Sequence, residues 1–304
     1  MKLIVQPDAG VNPVLSAIER AKKSIDVLIF RLDIEEVAAA LAEAVQRGVA
    51  VRALIAHANR GGTKSLRKLE ARFLQCGVTV SQTADDLVRY HGKMLIVDGR
   101  VLHVYGFNFT RLDINKSRSF GITTRNRKLV QEALKLFEAD SARQAYVPAF
   151  RRFVVSPQNA RELLAAFIKG ARRQLLIYDV KVSDRMMVRL LDERAKAGVD
   201  VRIIGKLGRG KAGITAEKYP GKRLHVRAII RDGSRAFLGS QSLRKLELER
   251  RREIGVILND RAVVKEMATT FERDWAQTDA GRRRAKSASD PDARAVKGDS
   301  LNVA

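Results

Sequence analysis

His91-Gly92-Lys93-Met94-Leu95-Ile96-Val97-Asp98-Gly99 and His225-Val226-Arg227-Ala228-Ile229-Ile230-Arg231-Asp232-Gly233 are two versions of one pattern in the same chain. Each opens on a histidine, places a basic residue two positions on, runs through apolar residues and closes on Asp-Gly. An Asp-Gly pair between apolar runs is a hairpin signal, so Met94 to Val97 and Val101 to Tyr105 read as two strands around Asp98-Gly99. Side chains two apart on a strand share a face. That places His91 beside Lys93, and His225 beside Arg227. The returning strands carry Tyr105-Gly106-Phe107-Asn108 in one case and Gly239-Ser240-Gln241-Ser242 in the other, so Asn108, Ser240 and Ser242 come back as neutral hydrogen-bonding groups. An imidazole beside a fixed cation makes a phosphate site with a nucleophile or acid built in.

Working outward, the likeness extends over most of the chain. At an offset of 134, Asp98 falls on Asp232, Gly121 on Gly255, Phe137 on Phe271 and Asp140 on Asp274. Upstream the offset is 150, and Pro7 falls on Pro157, Ile18 on Ile168 and Leu41 on Leu191. The second copy has therefore lost 16 residues before its histidine. In the first copy that stretch holds Leu66, Leu69 and Phe73, the apolar stripe of an extra helix. Ile25 to Phe30 and Val49 to Ala56 read as buried strands, residues 35–47 as an amphipathic helix, and each copy closes on a helix, marked by Val130, Leu134 and Phe137 or by Val264, Met267 and Phe271. Alternating strands and helices predict an α/β fold of two repeated lobes, each a sheet flanked by helices. The lobes are assigned to residues 1–150 and 151–275. Residues 276–304, rich in Ala, Ser, Asp and Arg without apolar periodicity, read as a disordered basic tail.

The chain has 304 residues, with 58 Lys and Arg against 34 Asp and Glu, a net charge of +24. The tail holds little of this excess, so the charge belongs to the folded body and predicts a polyanionic partner. Nucleic acid, an anionic membrane surface and a phosphate-bearing substrate all satisfy it. Aromatic residues make up only 6%, which argues against a stacking platform for single strands. The single cysteine, Cys76, excludes an intramolecular disulfide and a cysteine-rich zinc module. Apolar runs are too short for a transmembrane segment, so the expectation is a cytoplasmic protein, with the inner membrane surface as a peripheral docking place. Two glycine-basic loops, Asn59 to Lys64 and Gly205 to Lys211, follow equivalent strands and could cradle phosphate through backbone amides.

The two histidine motifs resemble those of the phospholipase D superfamily, which carries H-x-K-x4-D-x6-G-S-x-N twice. The resemblance runs from residue 4 to 275. It implies two similar lobes packed side by side with one active site at their interface. It also implies a two-step reaction in which one histidine attacks phosphorus and the other protonates the leaving alcohol and then activates the acceptor, with neither metal nor other cofactor. Carried over by position, His91 and His225 are catalytic, and Lys93, Arg227, Asn108, Ser240 and Ser242 bind phosphate. Asp98 and Asp232 are structural. Glu253 stands where the family has a carboxylate that orients a histidine, and it is expected to orient His225. Five positions depart from the pattern. Tyr105-Gly106 replaces Gly-Ser, Ser119 replaces the orienting Glu of the first copy, Arg227 replaces Lys, and Ser242 replaces Asn. The loss at Ser119 predicts that His91 has no carboxylate partner and is less basic. His91 is nevertheless expected to be the nucleophile, as the N-terminal histidine usually is in the family.

Three functions compete on these residues. The first is a cardiolipin-synthase-like phosphodiesterase or phosphatidyltransferase that docks on phospholipid headgroups. The second is a metal-independent nuclease, and the third a degenerate, non-catalytic polyanion binder. Two motifs in one chain favour the first and are compatible with a monomer.

Overall fold

Each copy of the repeat folds into a seven-stranded mixed sheet, and the two sheets have the same strand order. The computed structural model describes residues 1–57, 64–208 and 213–289, so the tips of both glycine-basic loops and residues 290–304 lie outside the described residues. The first sheet runs Lys2–Gln6, Ser119–Thr124, Val101–Tyr105, Met94–Val97, Ser24–Leu28, Ala50–Ile55, Thr79–Gln82. The second runs Phe153–Val155, Ile254–Leu258, Arg235–Gly239, Ala228–Arg231, Gln174–Val182, Asp200–Leu207, Ile214–Glu217. In both, the last three strands pair in parallel and the others antiparallel. The extra helix of the first copy forms at Lys64–Gln75, with Leu66, Leu69 and Phe73 buried.

The period of two along the strands sorts the core into layers. Ile25, Val27, Leu95 and Val97 face helices Asn12–Glu19 and Glu35–Gln46 in an outer core. Ala160–Lys169 and Arg185–Lys196 cover the second sheet in the same way. The alternate residues, among them Leu28, Met94, Ile96 and Val104, join Leu176, Tyr178, Ala228, Ile230, Leu238 and Ile254 of the other sheet in one shared core. Helices Arg127–Ser141 and Arg261–Ala276 complete it. The lobes thus share one hydrophobic interior.

Polar bonds cross the interface in pairs that the repeat relates. Arg118 donates from Nε and Nη2 to both carboxylate oxygens of Asp274, at 2.9 and 3.1 Å. Its equivalent, Arg252, donates to Asp140 at 3.0 Å. All four side chains are buried. The backbone crosses too. Arg89–Tyr90 pairs in parallel with Arg251–Arg252, and an equivalent bridge joins Arg118 to Leu224.

Two expectations are corrected. His91 and Lys93 do not lie on a regular strand, because the strand begins at Met94, and likewise Ala228 follows Arg227. The histidine amides bond instead across the interface, His91 to Arg252 O and His225 to Arg118 O, at 2.7 and 3.0 Å. Nor is the whole segment after residue 275 without structure. Asp279–Ser289 is helical. Thr278 Oγ1 accepts from the Gly281 amide, and Glu217 accepts from the Ala280 amide and meets Arg283. These contacts supply what apolar periodicity lacks.

Asp98 and Asp232 occupy the hairpin turns with φ of 53°, the left-handed region that Asp tolerates better than most residues. Asp98 accepts from the amides of Lys22, Lys23 and Ser24, and Asp232 from those of Arg172, Arg173 and Gln174. Desolvation opposes their charge, but the amide bonds hold both carboxyls below the ordinary range. Their stabilisation is therefore present above the unfolded carboxyl pKa and is lost as pH falls through the depressed folded value.

Replacing Asp274 with Ala leaves the buried Arg118 guanidinium only Gln6 O and the exposed Asp8, at 2.9 and 3.6 Å. It should cost about 3–5 kcal/mol, against about 1 kcal/mol for Asp98→Ala at the more exposed turn. Denaturation midpoints of the two variants check this order, and equal losses would count against the interface pair as the dominant restraint.

Candidate active site

Because each histidine amide is tied to the opposite lobe, both imidazoles are brought to the interface, and each is only 8% exposed. His91 Nδ1 lies 2.9 Å from Glu253 Oε2. Glu253 belongs to the other lobe and is completely buried. The structure thus overturns the expectation that Glu253 orients His225 and that His91 has no carboxylate. The reason is topological: Glu253 follows the Arg251–Arg252 segment that crosses to pair with Arg89–Tyr90, next to His91.

His225 has a carboxylate neighbour that the sequence reading missed. Its Nδ1 faces Asp113 Oδ2 at 3.4 Å, close enough for an ion pair but not aligned as a hydrogen bond. Asp113 sits in the short helix Arg111–Lys116, which is capped by Thr110 Oγ1 accepting from the Asp113 amide. It is held by the amide and side-chain nitrogen of Asn108, both at 2.8 Å, and by Arg223. Asn108, carried over as a phosphate ligand, is thus a support for Asp113 here. The signal that could have found Asp113 is its place in the repeat, since at an offset of 134 it falls on Glu247.

Two basic side chains accompany the carboxylates. Lys93 is fully buried and donates to His91 O at 2.5 Å. Arg227 donates from Nη1 to His225 O at 3.0 Å and from Nε to Ser242 Oγ at 3.3 Å. Lys93 lies within electrostatic reach of Glu253, Asp113 and Arg227 at once, which places all four around one centre. Ser240 Oγ accepts from the Ile254 amide at 3.1 Å, beside Glu253. Across the repeat, Gly106 and Ser119 take the places of Ser240 and Glu253. A Cβ at Gly106 would come 3.2 Å from Ser119 Oγ, so the two departures from the family pattern are neighbours. The first lobe has traded a hydroxyl and a carboxylate for one smaller hydroxyl. Phe30 packs edge-on against His91, with ring centroids 5.1 Å apart. Asp98 and Asp232 lie at the far ends of the hairpin strands, in the turns.

Burial sets the protonation. It pulls His91 down to about 4, against the opposing charge of Glu253. It also takes His225 well below its ordinary value, helped by Arg227 and opposed by Asp113. Burial would raise Glu253, but His91 and Lys93 carry it down to about 2. Asp113 behaves likewise, carried to about 2 by His225, Asn108 and Arg223. At neutral pH both carboxylates are therefore charged and both imidazoles neutral. A carboxylate can only accept, so the His91 proton sits on Nδ1 and Nε2 is left with a free lone pair. Burial also lowers Lys93, to about 7.

A family profile described as cardiolipin synthase, PLD-like domain, matches residues 14–141 and 164–275. No curated protein sequence matches. Among solved structures, a polyphosphate kinase from Porphyromonas gingivalis superposes with a TM-score of 0.73 at 18% identity, covering 89% of this chain and 49% of the kinase. The chain thus spans about half the length of that protein. Phosphatidylserine synthase of Haemophilus influenzae Rd KW20 gives 0.65 at 11% identity, covering 91% of this chain and 85% of its own. At these identities the likeness is one of fold: a mixed α/β architecture of two repeated lobes. Among the described residues, no helix is long and apolar enough to cross a membrane.

The crossed pairing has a direct test in the nitrogen shifts of the imidazoles. Glu253→Gln should move the ring resonances of His91 and leave those of His225 nearly in place, whereas Asp113→Asn should do the reverse. A Glu253→Gln spectrum in which His225 moves instead would contradict the geometry.

Proposed function

We propose that this chain, which belongs to the phospholipase D-like family of the cardiolipin synthase type, is a phosphodiesterase or phosphatidyltransferase acting on phospholipid through a phosphohistidine. The observation that supports this most is that two neutral histidines, each backed by its own carboxylate, meet the buried Lys93 and the half-buried Arg227 at one interface. Such a centre can supply a nucleophile, a proton carrier and charge for the phosphoryl oxygens.

His91 is the nucleophile. Its Nε2 lone pair attacks phosphorus while Nδ1 keeps its proton against Glu253, which stabilises the positive charge that develops on the ring. The bond from phosphorus to the leaving oxygen breaks as His225 gives that oxygen a proton. His225 is neutral in the free protein; a phosphate anion entering between Lys93 and Arg227 offsets their charge and raises its proton affinity, so it takes up a proton from solvent as the substrate binds. Water or an alcohol then attacks phosphorus and passes its proton to His225. The phosphorus–nitrogen bond breaks, which frees His91, and the proton on His225 returns to solvent as the product leaves. Lys93, Arg227 and Ser242 hold the non-bridging oxygens, with Ser240 beside Glu253. Asp113 positions His225.

The preference for lipid rests on the family description and on the basic body, which suits anionic headgroups. Phosphatidylglycerol vesicles and plasmid DNA, each assayed in EDTA, separate the readings. Headgroup release without nicking is the expected result. Nicking without headgroup release would replace the lipid by nucleic acid, and inactivity on both would leave a polyanion binder.

His91→Ala and His225→Ala should each lower turnover by about 10³-fold or more, and trapped label should map to His91 by mass spectrometry. Label on His225 would reverse the roles. For the pH profile, kcat/KM should fall above about pH 7, where Lys93 loses its proton in the free protein. The limb should move to higher pH in kcat, because bound phosphate holds the proton on Lys93. A flat kcat/KM between pH 6 and 9 would exclude Lys93 as the titrating phosphate ligand.

A further inference from the structure

The pseudo-twofold repeat provides an internal control for every charge around the site, and one arginine fails it. Beside His225, Arg223 donates to Asp113 and to Ser117 Oγ and is neutralised there. Its counterpart beside His91 is Arg89, and the counterpart of Asp113 is Glu247. Symmetry would pair Arg89 with Glu247. Instead Arg251, which stands in the position of Ser117, takes Glu247 Oε1 at 2.9 Å. Arg244, in the position of the Thr110 cap, takes Oε2 at 2.9 Å. Among the described residues, Arg89 meets no carboxylate within ion-pair distance, and its buried Nε has no hydrogen-bond partner.

The guanidinium of Arg89 is nevertheless held in place. It stacks over Phe30 at 5.1 Å, while Arg31 lies 5.5 Å from the same ring. That ring packs edge-on against His91. Arg251 is the cross-lobe strand partner of Arg89. Three arginines therefore converge beside the His91 face of the site, where Glu247 is already shared by Arg251 and Arg244, and Glu253, 3.8 Å from Arg251, is bound by His91. Like charges held together at a half-buried place raise the energy of the free protein, and an anion there relieves it.

We propose that Arg89, supported by Arg251, Arg31 and Phe30, forms a second anion subsite that takes another phosphate of the same substrate, on the His91 side of the scissile one. The substrate class is then a lipid with two phosphates joined by a short linker. This rests on the scissile phosphate lying between the histidines. The lipid is the source of both phosphates; successive phosphates of a nucleic acid are the rival outcome.

The probe is a series of alkane-α,ω-bisphosphates of increasing spacer, compared with methyl phosphate by calorimetric titration, which needs no turnover. One spacer length should bind roughly tenfold tighter than the monophosphate or better, as a charge-assisted contact provides. In Arg89→Met that ratio should collapse towards one, and Arg89→Lys should restore part of it. A spacer-independent ratio near one in the unaltered protein, or a ratio unchanged in Arg89→Met, would overturn the proposal. Vesicle assays with phosphatidylinositol 4-phosphate and phosphatidylglycerol form the second arm. A larger KM increase in Arg89→Met for the two-phosphate lipid supports the lipid source. The same selective increase seen only with oligonucleotides would overturn it. Bisphosphate selectivity in a protein inactive on every lipid would leave the subsite and remove the lipid reading, so the two can fail separately.

Discussion

Each lobe surrenders a histidine to the other. The His91 amide is bound by the carbonyl of Arg252 and the His225 amide by that of Arg118, and the same two arginines send their guanidinium groups to Asp140 and Asp274 across the interface. One short segment in each lobe thus supplies both the backbone acceptor and the buried ion pair. A single lobe would lose the cross-lobe ion partner of both its charges, with Arg118 keeping only the exposed Asp8 at 3.6 Å, and a buried charge stranded in this way costs several kcal/mol. The shared hydrophobic core imposes the same demand, because its strand faces have no other cover. The active centre therefore exists only when the lobes are joined.

From that constraint follows the crossed arrangement of carboxylates. Glu253 comes next in the chain after Arg252, so when Arg252 crosses to meet Tyr90 and His91, Glu253 crosses with it. In the opposite direction Arg118 is followed by Ser119, which has no carboxylate and whose hydroxyl makes no hydrogen bond. Asp113, one short helix upstream, faces that histidine instead. The two halves reach similar electrostatics by different routes, one through a fully buried carboxylate on a strand approach, the other through a helical carboxylate held by Asn108 and Arg223. The first is hydrogen-bonded and the second only close.

Much of this was legible in the residues. The hairpins at Asp98 and Asp232, the extra helix at Leu66 to Phe73, the two-lobe α/β organisation and the paired histidines all follow from local pattern and the repeat. These are properties of neighbours in sequence, and short-range geometry is enough to set them. The partner of each histidine was not legible in the same way. Pairing Glu253 with His225 assumes that residues from one copy stay together, and the crossing segments violate that assumption. Reading Ser119 as the lost partner of His91 fails for the same reason. The helix at Asp279–Ser289 escaped because its stability comes from Glu217 and Thr278 rather than from an apolar stripe.

What the sequence determined by itself is the inventory and the symmetry. Two histidines, a lysine and an arginine two residues on, Asp-Gly turns and a strongly basic body are fixed by residue identity and spacing. Tertiary structure decided which charges cancel. Arg223 and Arg89 are equivalent in sequence, yet one is neutralised and the other is not, because Arg251 and Arg244 reach Glu247 first. The energy of a charge depends on distance and on exposure to water, and neither is set until the two lobes close on each other.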